Sequence, residues 1–269
     1  MAPSFSISGE TLIPELLRRV PQARPVLDRY GLRGCGGEFG PHESLAFFAR
    51  AHDVPLEQLL NELKEILQAG PPATDGIALA EAEYAELPGD TIYRPFFKAA
   101  IALVLTVGAA WGALLLLRIS RVGSFTAVSI REINAHGHAQ IFGWVGLFVM
   151  GFAYQAFPRF KHGELSHPRL ARATLWMMLG AIAVRCLTEP LLERWPEVAP
   201  LAVAAGPVEV AAVALFIGII AASWHRSGKR LEYHDWFIVS ALFWFLFQTV
   251  YESVYFATTA FASTRDELL

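Results

Sequence analysis

Residues 131–160 read REINAHGHAQIFGWVGLFVMGFAYQAFPRF, and this stretch decides the architecture. It opens with two histidines, His136 and His138, runs apolar for the length of a membrane, and closes on Pro158-Arg159. A helix crosses the hydrocarbon core with about 20 mostly apolar residues. An ionisable side chain inside such a segment costs at least about 2–3 kcal/mol, so histidines there point first to function.

Outward from this stretch the same pattern recurs. Apolar runs cover roughly 96–117, 133–157, 171–190, 198–223 and 236–260, separated by short charged loops. The chain is 54% hydrophobic and 17% charged, with mean hydropathy +0.38, which is too apolar for an ordinary soluble domain. Helices are expected in the runs, because an open sheet would leave backbone groups unpaired in lipid. The fold class read from the sequence is therefore all-α: a polytopic membrane bundle of about five helices over 93–269, preceded by a small soluble helical domain over 1–70. Between them, 71–92 is an acidic, Pro/Gly-bounded linker. In the soluble part, Leu16, Leu17, Val26, Leu27, Leu45, Phe48, Leu59, Leu60 and Leu63 recur at helical spacing and form the expected core.

Charge and cysteine content exclude other classes. Net charge is -3, and no basic stripe remains once membrane-flanking residues are set aside, so no nucleic-acid partner is expected. The two cysteines, Cys35 and Cys186, do not make a disulfide framework. The opening residues lack a basic segment followed by an apolar one, so no cleaved signal peptide is expected. Cys35, in the turn Gly34-Cys35-Gly36-Gly37, is the candidate redox or metal residue of the soluble domain, with His42 or His52 as potential partners; the competing reading is a plain glycine turn.

Lys and Arg set the expected orientation. Arg94, Lys98, Arg159, Lys161, Arg169, Arg172, Arg226, Lys229 and Arg230 fall on one side, against Arg118, Arg121, Arg131, Arg194 and Arg265 on the other. The richer side should be cytoplasmic, with the N-terminal domain on it. This places His136, His138 and Gln140, then Arg185 and Glu189, near the outer ends of their helices, Glu209 in the outer half or near the middle of the fourth, and Gln248, Tyr251 and Glu252 in the outer half of the fifth. At about 100° per residue the two histidines point about 200° apart. His136 shares a face with Gln140, Gly143, Gly151 and Tyr154; His138 shares one with Ile141, Phe142, Val145, Phe148, Val149 and Phe152. Small residues admit a neighbouring backbone or a flat cofactor, which favours His136 as the inward metal ligand, with Phe-lined His138 as its competitor. Arg185 suits an anionic group of a cofactor, or a local ion pair with Glu189 one turn on. Glu189, Glu209 and Glu252 are candidate proton or polar partners, and Cys186 a buried filler.

The phrase H-x-H-A-x-x-F-G-W-V-G-x-x-V-M-G-x-x-Y-x-x-x-P-R-F, from His136 to Phe160, resembles the histidine-bearing helix of NnrS-type membrane proteins and, more distantly, of haem–copper oxidase subunit I and related nitric oxide reductases. The soluble stretch resembles the N-terminal helical domain of ScdA/RIC-type iron–sulfur repair proteins, through T-L-I-P-E-L-L, R-Y-G-L, the Cys-Gly-Gly turn and E-S-L. What the first resemblance implies is haem b, with copper as a further metal, bound near the outer face of a bacterial inner (cytoplasmic) membrane. Its implied role is the response to, or handling of, nitric oxide or related nitrogen species. His136, His138, Arg185, Gln140 and Tyr154 would then bind the cofactor, and NO would be the small gaseous ligand. The remaining histidines, His162, His167, His225 and His234, fall in loops on the cytoplasmic side, so binding or sensing is expected rather than complete oxidase or reductase turnover. Expected partners are membrane lipid and a second copy or a further membrane subunit. The contrasting readings are a cofactor-free small-molecule or proton transporter, using Arg185, Glu189, Glu209 and Glu252, and a structural subunit.

Overall fold

The computed structural model describes residues 6–32, 39–69, 89, 91–161 and 163–260. Cys35, most of the linker and His162 lie outside the described residues. The described residues form helices and no strand apart from one isolated antiparallel bridge between Leu12 and Ser44. The chain divides into two compact units, the second beginning at Pro88.

In the first unit, α1 (Ile13–Arg19), α2 (Arg24–Leu27), α3 (Leu45–Ala51) and α4 (Leu56–Ala69) enclose Ile13, Leu16, Leu27, Leu45, Phe48, Leu59 and Leu63, all fully buried. Ser44 caps α3 by accepting from the Phe47 amide at 3.2 Å. Gly31, with φ 103°, lets the chain leave α2 in a conformation most residues avoid.

The second unit contains five helices long and apolar enough to cross a membrane: α5 (Tyr93–Val122), α6 (Ile130–Phe160), α7 (Pro168–Leu191), α8 (Pro196–Ser227) and α9 (Tyr233–Thr259). It is a multi-pass membrane protein. Helix ends are fixed locally. Ser129 and Glu132 form a reciprocal capping box at the start of α6, and Arg118 ties Glu132 and the Ala127 carbonyl to the end of α5. At the other side, buried Lys161 pairs with buried Asp235, joining the end of α6 to the start of α9.

Lipid tails are as apolar as leucine, so the spans associate by close packing rather than by exclusion from water. The order across the bundle is α5 against α6, then α7 and α8, then α9 along α8. Gly108 and Gly112 of α5 seat against Gln140 and His136, and Gly151 of α6 against Phe96. Tyr154 fills the centre, its ring edge-on to Phe96 and Phe216. α5 and α9 flank the bundle and leave most of their surface outward.

Two π-helical segments interrupt these spans, Val104–Ala110 in α5 and Ala139–Gly146 in α6. Each residue inserted by a wide turn rotates everything beyond it by about 100° relative to a regular helix. The face read for His138 from regular periodicity therefore fails beyond Ala139, apart from Phe142. Ile141, Val145, Phe148, Val149 and Phe152 are 41–54% exposed on the lipid side, whereas His138 and Phe142 are buried.

Candidate functional site

Four spans bring charged groups together within about four turns of the helix ends on the side opposite Tyr93. His138 from α6, Arg185 and Glu189 from α7, Glu209 from α8 and Glu252 from α9 form one connected cluster. The side chains of His138, Arg185, Glu189 and Glu209 are 1–3% exposed, and Glu252 is 20% exposed.

The contacts assign the protons. His138 Nε2 lies 2.8 Å from Glu209 Oε1, and a carboxylate only accepts, so Nε2–H donates. The opposite nitrogen, Nδ1, faces Glu252 Oε1 at 3.6 Å and is buried without a hydrogen-bond partner. Arg185 donates from Nε to Glu189 Oε2 at 2.9 Å and from Nη1 to Glu252 Oε2, and its guanidinium lies 4.0 Å from the centre of the Phe256 ring. Glu209 follows Pro207, which interrupts the α8 hydrogen-bond ladder two residues before it.

The cluster opens on a cleft of about 1360 Å³ between α6 and α9, floored by the end of α7. Asn134, Gly137, His138 and Ile141 line one wall; Gln248, Glu252 and Tyr255 line the other. Arg131, two turns nearer the surface than His138, donates to the Thr259 carbonyl and narrows the outer end.

The histidine expected to face inward does not. His136 Nδ1 lies 3.0 Å from the Val107 carbonyl, so it carries a proton and donates across to α5, and its far edge meets Gly112. The stripe of small residues on the His136 face is real, but the helix backbone of α5 fills it rather than a cofactor. Gln140 belongs to the same contact, its amide against Gly108. Tyr154 lies about 24 Å further along α6 at 1.5 Å per residue and exchanges a 3.0 Å hydrogen bond with Thr174, away from the cluster. Cys186 packs with Sγ 3.8 Å from the Ala135 carbonyl. Thus Arg185, Glu189, Glu209, Glu252 and His138 come together, and His136, Gln140 and Tyr154 do not. The sequence reading did not include Phe256 under the guanidinium or Arg131 on Thr259, and no local pattern signals either.

A family model described as NnrS protein matches residues 91–266, more than half of the chain. The chain belongs to the NnrS family. No curated protein and no solved structure matches it.

NnrS membership covers the whole membrane unit and so makes metal or haem the first ligands to test in the cleft. The volume is ample for a haem, since small-molecule sites are typically about 300–1,000 Å³. The histidines do not fit one as they stand. His136 is committed to α5, and the His138 ring is 1% exposed with both nitrogens aimed at carboxylates, leaving no approach for a flat macrocycle. A single ion fits better: His138, Glu209 and Glu252 each offer a donor atom, all within 4.8 Å of one another.

Proposed function

We propose that this NnrS-family chain is a metal-binding protein of the bacterial inner membrane that acts in the response to, or handling of, nitric oxide or related nitrogen species. The observation that carries the reading is the buried His138–Glu209–Glu252 cluster with Arg185 and Glu189, set at one depth by four spans and opening on the cleft. Charged residues at that depth are retained for a pathway or a ligand, and an unpartnered imidazole nitrogen among carboxylates is a ligand's signature. The excess of Lys and Arg at the other ends of the spans supports a cytoplasmic N-terminal domain. Because the cluster completes no second histidine site, binding or sensing is the proposed role, not reductase turnover.

The test is protein purified in detergent from a metal- and haem-replete host, examined by metal analysis and by absorption and EPR spectra with and without NO. A bound metal whose spectrum changes with NO, lost in His138→Ala and kept in His136→Ala, supports the proposal. A Soret band lost in either variant would restore haem as the ligand of that histidine. Protein free of metal and haem and silent to NO would leave the cofactor-free proton or solute pathway as the better reading.

A further inference from the structure

We propose that the cluster holds one non-haem divalent transition-metal ion, bound by His138 Nδ1 and Glu252, with Glu209 orienting the imidazole from behind. The inference rests on the metal-binding reading above and names the metal class and the donors.

Three observations meet here. The first is charge. One guanidinium, Arg185, stands among three carboxylates, Glu189 and Glu209 buried and Glu252 20% exposed. With a neutral imidazole this leaves two negative charges uncompensated inside a membrane span, where isolated charge is expelled or neutralised. A divalent cation cancels both, and Arg185 with Glu189 forms a neutral pair beside it.

The second is the orphaned nitrogen. Since Nε2–H is donated to Glu209, Nδ1 of the neutral ring presents a lone pair, and it faces an oxygen of Glu252 at 3.6 Å without a hydrogen bond. A lone pair set against a carboxylate oxygen is repulsive unless a proton or a metal ion lies between them, and 3.6 Å is long for an N–H···O bond. Two ligands at about 2.0–2.1 Å from a tetrahedral ion sit about 3.4 Å apart, so the observed gap is close to a ligand-to-ligand distance.

The third is the support of the ring. A metal-bound imidazole usually donates its other N–H to a carboxylate or carbonyl, which fixes its orientation and raises its basicity. Glu209 does this at 2.8 Å from within α8, and Arg185 fixes Glu252 in the same way. An imidazole with carboxylates suits first-row ions such as Fe(II), Mn(II), Co(II) or Zn(II) better than soft Cu(I), which prefers sulfur. With two protein donors, the remaining positions open on the cleft that His138 and Glu252 line.

The experiment titrates Co(II) and Zn(II) into haem-free, chelator-treated full-length protein in detergent. Co(II) visible absorption reports coordination, and elemental analysis after desalting reports stoichiometry. The expected result is one ion per chain in the wild type and in His136→Ala. His138→Ala and Glu252→Gln should lose it, and Glu209→Gln should retain it about 10–100-fold more weakly, as loss of a carboxylate behind a ligand does. Circular dichroism and a monodisperse elution peak show that each variant is folded; a variant that is not folded is replaced by His138→Phe or Glu252→Leu, which keep apolar bulk without a donor and for which the same loss is expected. Failure of the folded wild type to bind either ion overturns the proposal, as does binding unchanged in the His138 and Glu252 variants. Because no NO and no haem enter the titration, its outcome is independent of the nitric-oxide role: an ion that binds but is indifferent to NO sinks that role alone.

Discussion

Arg185→Met is the sharpest probe of the cluster, because it removes the guanidinium and keeps an unbranched side chain against Phe256. Arg185 is 3% exposed and closes on Glu189, 1% exposed, and Glu252, 20% exposed. Breaking a buried pair by deleting one partner costs about 3–5 kcal/mol, far more than the ~1 kcal/mol of a surface pair, because the abandoned charge cannot reach water. Partial exposure of Glu252 puts the expectation near the lower end, about 3–4 kcal/mol. At about 2–4 °C per kcal/mol for a chain of this size, the midpoint should fall by about 10 °C. The assay is thermal loss of the monodisperse peak in size-exclusion chromatography, in detergent and with chelator present so that no ion contributes. Adding Glu252→Gln to Arg185→Met removes one of the stranded charges and should recover about half of the loss. A single variant melting within about 2 °C of wild type, or a double variant no more stable than the single, would refute the electrostatic account.

Other predictions concern packing and pH. Gly151→Ala would place a Cβ 2.6 Å from the Cβ of Phe96, so it should push α5 off α6 and lower stability by about 1–3 kcal/mol, whereas Gly218→Ala, with nothing within 4 Å, should be tolerated in the same melt. Phe142→Ala should cost roughly 3 kcal/mol and Ile141→Ala little, since the π-helical segment buries the first and leaves the second 54% exposed; equal losses would mean that α6 is regular there. In the soluble unit, burial pushes the Glu43 carboxyl above its ordinary value. A raised folded value favours the protonated form, so its contribution is fully present below about pH 4.3 and is lost as pH rises through the folded value. Glu43→Gln should then raise protection of α3 amides from hydrogen exchange at about pH 7 and leave it unchanged near pH 3.5; a gain at the acid end instead would reverse the assigned sign.

The sequence by itself determined the all-α class, the five spans and the common level along them at which His138, Arg185, Glu189, Glu209 and Glu252 meet. Hydropathy runs and helix length are local properties, read without knowing any neighbour. The Arg185–Glu189 pair was also legible, being one turn apart on one helix. What only the tertiary structure decided is which histidine faces the cluster. A regular 100° step groups His136 with Gln140 and Gly151 correctly, but it cannot say whether that small-residue face receives a cofactor or a helix, and here α5 occupies it. It also puts His138 with residues that prove to face lipid, because the wide turn at Ala139–Gly146 shifts the register, and hydrogen-bond register leaves no mark on composition. The pairings of His138 with Glu209 and of Arg185 with Glu252 join residues 71 and 67 positions apart. They exist because α6, α7, α8 and α9 pack at one depth, a fact of assembly that no single span contains.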